Sequence, residues 1–315
     1  MQIAVVIVTW NSSRLLGDVL KALNHQTLCP DKVLIIDNSS KDVDEVVEIT
    51  KKYSFCELLR MQENTGFAVA NNIAIDRCSD FNYIALLNPD AFPEPDWLEQ
   101  LLTAANEYPE VAAFGSRQLR HDNPEVLDGI GDCYHISGRV WRERCGKQQR
   151  EDDLVGREIF SPCAAADLYR RQCLVEVGGF DEDYFCYLED IDLGFRLRLA
   201  GHKARYVPGA VVHHIGSATT GGQHSDFSVY YGHRNLVWTF IKNMPGVLFW
   251  ALLPLHLLLN FVTVAHFTVR RQGKVIWQAK RDAIKGIPRM WRKRRSIQAS
   301  RRASIMDIWR VLDKG

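Results

Sequence analysis

Along the first third of the chain, apolar residues fall in short runs separated by stretches with helical spacing. Residues 3–8 form a β-branched run that predicts a buried strand. The run ends at Thr9-Trp10-Asn11-Ser12. Leu15, Leu16, Val19, Leu20 and Leu23 then follow at the spacing of one helix face, with Ser12 or Ser13 placed to cap it. Residues 33–36 predict a second strand, which ends in Asp37-Asn38-Ser39-Ser40 and leads to a helix over 43–52. A weaker strand lies at Cys56–Arg60, and Asn64-Thr65-Gly66-Phe67-Ala68 opens another helix. Tyr83–Leu87 is apolar throughout, the mark of a strand buried on both faces. Strands alternating with helices at this spacing predict right-handed βαβ units and a mostly parallel α/β sheet.

The ends of these strands carry the candidate chemistry. Pro89 has no N–H and stops the fourth strand, so Asn88 and Asp90 sit on a stiff corner at its C-terminal end. Ligands bind at that end in open α/β sheets, and a carboxylate there suits a hard divalent cation. The first turn contains neither GxGxxG nor GxxxxGK[ST], which argues against a dinucleotide fold or a P-loop. Thr9, Asn11, Asp37 and Ser39 instead offer hydrogen bonds to a base and ribose, and Asp37 can accept from a pyrimidine N3–H. As helix caps or turn formers the same residues would be unremarkable, which is the preferred view of Ser12 and Ser40.

The second half is less regular. A helix capped by Asp96 and a strand over 111–115 are expected. Residues 117–158 are polar and aperiodic, a long excursion forming a substrate wall. Residues 164–170 read as a strand with small residues that let a ligand approach the backbone, and Gly178-Gly179-Phe180-Asp181 as a turn. Glu189, Asp190 and Asp192 crowd the start of a helix ending at Gly201, where acidic residues complement the helix dipole or one of them serves as a base. Strands at 204–207 and 210–212 lead to His213-His214-Ile215-Gly216-Ser217-Ala218-Thr219-Thr220, a source of a metal ligand and of phosphate-binding hydroxyls.

The net charge of +1 conceals an asymmetry. From Arg270 to Gly315 there are 15 Lys+Arg and 3 Asp+Glu, which leaves 24 basic and 35 acidic residues in 1–269. A basic tail on an acidic body predicts an anionic partner; no nucleic-acid motif accompanies it, so a membrane surface is favoured. Eight cysteines without CxxC or metal-type spacing fit a reducing cytosol, and the apolar stretch 3–10 is too short for a signal peptide.

Seven motifs occur in order: residues 5–12, Ile36-Asp37-Asn38-Ser39-Ser40, Asn64-Thr65-Gly66-Phe67-Ala68, Leu87-Asn88-Pro89-Asp90, Gly179-Phe180-Asp181, Leu188-Glu189-Asp190-Ile191-Asp192-Leu193 and His214-Ile215-Gly216-Ser217. Together they resemble the family 2 inverting glycosyltransferases, in the rhamnosyltransferase-like branch, over residues 1–240. The resemblance implies a GT-A (Rossmann-like) fold and an enzyme of polysaccharide synthesis. By motif, Thr9, Asn11, Asp37, Ser39, Asn64, Gly66, Asn88 and Asp90 would hold a nucleotide-sugar donor. dTDP-rhamnose is the first choice and a UDP-sugar the second. Asp90 would bind Mg2+ or Mn2+ with His214, or alternatively His213. Asp190 would be the base, with Glu189 and Asp192 positioning the acceptor or bracing the helix. Asn88 replaces the first acid of the family's DXD motif. A catalytically silent nucleotide-sugar-binding scaffold is the competing expectation.

The expected organisation is a catalytic domain over 1–240, with a nucleotide-binding half over 1–115 and an acceptor-binding half over 116–240, followed by a helical region over 241–315. Residues 247–269 contain no charge and are long enough to cross a bilayer. A single span would put the basic tail on the far side, against the positive-inside rule. The expectation is therefore an in-plane or re-entrant pair of helices broken near Pro254, on the cytoplasmic face of the inner (plasma) membrane, with the tail on anionic headgroups. A saccharide acceptor linked to polyprenyl diphosphate would explain such a location.

Overall fold

The computed structural model of the chain describes residues 2–216 and 225–315. Ser217, Thr219 and Thr220, expected as phosphate-binding hydroxyls, lie outside the described residues. The N-terminal part alternates as its periodicity predicts: β1 (Ile3–Thr9), α1 (Ser13–Asn24), β2 (Lys32–Asp37), α2 (Val43–Thr50), β3 (Cys56–Arg60), α3 (Gly66–Arg77) and β4 (Tyr83–Leu87). The four strands pair in parallel in the order β3-β2-β1-β4. The side chains of β1, β2 and β4 are buried on both faces of the sheet, between two apolar clusters, while β3 is a half-exposed edge. After β5 (Ala91–Pro93) and α4 (Trp97–Glu107) comes β6 (Val111–Arg120), which runs five residues beyond the expected strand end at Gly115.

The excursion after β6 is built from short strands: β7 (Leu127–Gly129), β8 (Asp132–Tyr134), β9 (Val140–Arg142) and β10 (Arg157–Ile159). Three-residue strands are too short to show a two-residue period, so the sequence reads as aperiodic there. Next, β11 (Ala166–Arg170) inserts antiparallel between β4 and β6. It is followed by α5 (Arg171–Glu176), α6 (Glu189–Leu199) and β12 (Lys203–His214). The two strands expected at 204–207 and 210–212 are one strand with a register shift between Val207 and Val211, where Pro208-Gly209 interrupts the ladder against β6. The result is a mixed, mostly parallel central sheet flanked by helices, in the order β10-β12-β6-β11-β4-β1-β2-β3.

The chain ends in α7 (Asp226–Asn243), α8 (Gly246–Phe267), α9 (Gly273–Ala299) and α10 (Ile305–Val311). The expected domain boundary at 240 falls inside α7. One apolar cluster joins Tyr134, Phe160 and Phe195 of the body to Phe249, Met290 and Ile308 of the C-terminal helices. The expected break at Pro254 is absent: α8 passes through it, and the interruption falls at Arg271, which adopts φ +66°. Pro254 is on the exposed face of α8, where the carbonyl it leaves without a donor is not sealed in a dry core. The polar residues of α8 point inward instead. His256 Nδ1 lies 2.8 Å from the Ser137 carbonyl, and Asn260 Oδ1 accepts from Lys280 of α9 at 2.6 Å.

Much of the tail's positive charge is spent on docking these helices. Lys293 pairs with Asp183 at 2.7 Å and also with Asp181, Arg289 pairs with Asp183 at 2.9 Å, and Arg294 donates to the Ile241 carbonyl at 2.8 Å. Lys242 of α7, fully buried, sits between Asp181 and Asp192. Removing one partner from such a site strands buried charge, at about 3–5 kcal/mol. Lys242→Met should therefore lower unfolding stability by about that amount in urea titrations, whereas Val247→Gln on the exposed side of α8 should leave it nearly unchanged.

Candidate active site

A cavity of about 910 Å3 opens at the C-terminal ends of the central strands. Its walls include Asn64, Gly66, Asn88, Asp90, Glu189, Asp190 and His214, so residues far apart in sequence converge on one space. Antiparallel pairing of β12 with β5 sets His214 opposite Ala91 and His213 opposite Phe92. Side chains alternate along a strand, and the two histidines therefore part. His214 turns to Asp90, with Nε2 3.3 Å from Oδ1, while His213 turns away to Glu94 at 2.7 Å. The alternative ligand His213 is thus excluded from the cavity.

Asp128 of β7 orients His214 by accepting from Nδ1 at 2.8 Å, and it also pairs with Arg142 of β9. Burial alone would raise the Asp128 carboxyl, but the His214 hydrogen bond and the Arg142 charge outweigh it and leave it below the usual range. Burial would lower His214, yet its bonds to Asp128 and Asp90 raise it. A histidine held at one nitrogen by a carboxylate, with the other aimed at a second carboxylate, is a common metal-ligand arrangement. His214 Nε2 is buried and, among the described residues, meets only Asp90, at a long 3.3 Å, so the pair suits a divalent cation.

A second group of candidate ligand atoms, from Asp132, Cys163 and Asp190, lies within 4.8 Å. It suits a metal poorly. Arg142 already places a guanidinium there, 2.8 Å from the Cys163 sulfur, and burial pushes that thiol well up. A neutral thiol beside a fixed cation does not attract Mg2+ or Mn2+, which prefer oxygen.

Asp190 begins α6 and takes N–H groups from Ile191 at 2.8 Å and Ala164 at 3.4 Å. Burial raises its carboxyl, against those donors and the Arg142 charge. Burial and the Asp190 charge push Asp132 up to about 8. Of the pair, Asp190 has the more hydrogen-bond donors to favour its charged form. Burial, then the Asp190 charge, raises Glu189 well above the usual range.

The approach to α6 is strained. Tyr187 and Leu188 both have positive φ (67° and 65°), which costs about 1–3 kcal/mol each. Asn235 of α7, wholly buried, holds this turn by donating to the carbonyls of Cys186 at 3.0 Å and Tyr187 at 2.7 Å. Gly66 (φ +82°) lets the start of α3 close against the same loop; a Cβ there would meet the Phe185 carbonyl at 2.5 Å.

Other expected contacts differ. Asp192 is fully buried, bound to Arg196 at 2.8 Å, Asn243 at 2.7 Å and Lys242 at 2.6 Å, so it braces α6 and cannot reach an acceptor. Thr9 and Asp37 are buried and outside the cavity lining, although Thr9 Oγ1 and Asp37 Oδ1 have no hydrogen-bond partner. Asn11 accepts from the Lys41 N–H at 2.8 Å and Ser39 donates to the Gln62 carbonyl at 3.3 Å, so both serve as loop braces. Trp10, Ser12 and Asn38 line the wall instead. Asn38 had the same polar strand-end signal as its neighbours, while Asp128, Asp132 and Arg142 lay in the stretch without periodicity.

The chain matches the sequence model of glycosyl transferase family 2 over residues 4–177. It belongs to that family. This glycosyltransferase is 30% identical over 241 residues to an N-acetylglucosaminyl-diphospho-decaprenol L-rhamnosyltransferase of Mycobacterium tuberculosis, covering 69% of this chain and 77% of that one. It is 27% identical to an O-antigen chain rhamnosyltransferase of Salmonella typhimurium, over 68% of this chain and 66% of the relative. Its fold is that of GT-A glycosyltransferases. A mannosyltransferase from Pyrobaculum calidifontis in complex with GDP-Man and Mn2+ aligns with TM-score 0.56 and 16% identity over 98% of this chain and 87% of its own. GalNAc-T7 with UDP, GalNAc and Mn2+ aligns with TM-score 0.61 and 15% identity, over 77% of this chain and 48% of that longer one.

The paired acids make a pH prediction. Only ionised Asp190 can accept a proton, so kcat/KM should rise as pH climbs through its raised pKa, with a second inflection near 8 from Asp132. In a pH–rate profile, Asp132→Asn should remove the second inflection and keep the first.

Proposed function

We propose that this glycosyltransferase moves rhamnose from dTDP-rhamnose, with inversion, onto a saccharide carried on polyprenyl diphosphate, at the cytoplasmic face of the membrane. The observation that carries it is the convergence of Asp90, His214 and Asp190 on one cavity. The two rhamnosyltransferase relatives support the sugar, and the first also supports the lipid-linked acceptor.

The donor's base lies at the ends of β1 and β2, where Asp37 Oδ1 and Thr9 Oγ1 lack partners, and Asn38 and Asn64 form the adjacent wall. Asp90 and His214 would hold Mg2+ or Mn2+, which when bound offsets negative charge on the departing diphosphate. Asp190 takes the proton from the acceptor hydroxyl as its oxygen attacks the anomeric carbon from the face opposite the diphosphate. The new C–O bond forms as the bond to the diphosphate breaks, and one displacement inverts the centre. Protonated Asp132 and the Arg142 guanidinium keep Asp190 ionised and fixed. Glu189, lining the same wall, meets the acceptor.

An in-plane membrane location is supported by α8. One face packs on the body through Phe249, Leu252 and His256, while the other exposes Trp250, Leu257, Leu258 and Phe261, the last at 73%. The helix is long and apolar enough to cross a bilayer, but its contacts to the body through Phe249, Leu252 and His256 favour the in-plane arrangement. Arg270, Arg271, Lys274, Arg292 and Arg295 are exposed and suit anionic headgroups.

Asp190→Asn should lower transfer by at least about 10²-fold and spare binding of dTDP-rhamnose in calorimetry. Transfer at the parent rate would remove Asp190 as base. Excess chelator should stop turnover, and Mn2+ should restore it. Phe261→Gln with Trp250→Gln should reduce co-flotation with anionic vesicles, and unchanged flotation would refute the in-plane anchor.

A further inference from the structure

A second, smaller hollow of about 320 Å3 lies between the β8–β9 hairpin and α8. Its walls include His135, Trp141, Leu255, Leu258, Leu259 and Val262, and its surface is almost wholly apolar. That volume is at the lower end for small-molecule sites. Trp141 also lines the catalytic cavity, so one indole separates the two spaces. On the cavity side stand Arg142 and Asp132. On the groove side the exposed Arg139 holds its guanidinium 5.5 Å over the Trp141 ring and makes no ion pair among the described residues. The groove's outer wall is Leu258, which is 57% exposed and belongs to the apolar face of α8.

We propose that this groove seats the first isoprene units of the acceptor's prenyl chain, with Arg139 on the diphosphate and Trp141 marking the passage from sugar to lipid. The inference rests on the lipid-linked acceptor proposed above and assigns that acceptor a route. The order of surfaces matches the order of such a molecule. The catalytic cavity bounded by Asp190 comes first, then the Arg139 cation, then an apolar trough, then the exposed apolar side of α8. A guanidinium suits a diphosphate, and its position over an indole keeps it extended toward the trough. Arg139 is the one charged side chain among the groove's lining residues.

The test uses the full chain without vesicles and farnesyl diphosphate as the probe, followed by calorimetry. The parent protein should bind it, whereas Leu258→Gln and Arg139→Ala should each bind about tenfold more weakly. Arg139→Lys should recover part of the loss. Leu257→Gln is the control: its side chain is 59% exposed on the same helix but does not line the groove, so its affinity should match the parent's. Equal affinity in all variants, or an equal loss in the Leu257 control, would overturn the groove assignment. So would dihexanoyl phosphatidylglycerol binding as tightly as farnesyl diphosphate, which would mark a general lipid surface. Transfer assays with N-acetylglucosaminyl-diphospho-decaprenol and with a hexyl analogue separate the two proposals. If Leu258→Gln raises KM about tenfold for the long acceptor alone, the groove stands. If the parent binds farnesyl diphosphate through Arg139 and Leu258 but glycosylates neither acceptor, the acceptor reading fails while the groove remains.

Discussion

The register between β12 and β5 is the constraint on which the site depends. His214 pairs with Ala91, and the Ile215 N–H donates to the Asp90 carbonyl at 3.0 Å, so the loop after β4 and the end of β12 are fastened backbone to backbone. A slip of one residue would turn His214 outward and bring His213 in, because side chains alternate along a strand. The register is protected from both sides. Val212, fully buried, alternates with His213, and β6 pairs with the same stretch of β12 through to Arg120. Asp128, on a strand paired to β6, then finds His214 Nδ1 within 2.8 Å.

The rest of the molecule supplies what that corner lacks. Asp190, the proposed base, is held by backbone donors at the head of α6 with Arg142 beside it, apart from the proposed cation site at Asp90 and His214. The strain in Tyr187 and Leu188 is offset by Asn235, and Asn235 is in place because α7 is bolted to α6 through Lys242, Asp192 and Asn243. The C-terminal helices therefore hold the catalytic turn in shape while presenting an apolar face outward. One packing arrangement thus shapes the turn before α6 and leaves the apolar face of α8 outward.

The alternation of strands and helices up to β4 was legible because each run is long enough to show its period. The corner at Asp90 and the acidic start of a helix at Asp190 were legible from strand ends and clustering, and the cavity takes in His214, which motif spacing favours over His213. At the ends of β1 and β2, Trp10 and Asn38 line the cavity, whereas Asn11 and Ser39 brace the loops. At a strand end the choice of face depends on turn geometry, and both Asn11 (φ 52°) and Ser39 (φ 63°) adopt left-handed backbone that a polar sequence pattern does not specify. Asp128, Asp132 and Arg142 were not legible, because their strands are three residues long and take their identity from partners elsewhere. The basic tail was legible as composition but not as contacts: Arg289, Lys293 and Arg294 meet partners that only the packed helices supply, while Arg270, Arg271, Lys274, Arg292 and Arg295 stay exposed.

The most direct measurement is the location of the cation. Crystals of the full chain grown with Mn2+ and dTDP should be examined by anomalous diffraction at the manganese edge. The account predicts a single peak about 2.0–2.4 Å from an Asp90 oxygen and His214 Nε2, with Asp128 behind the histidine. A peak instead among Asp132, Cys163 and Asp190, with Arg142 displaced, would contradict it and would leave Asp190 as a ligand rather than a base.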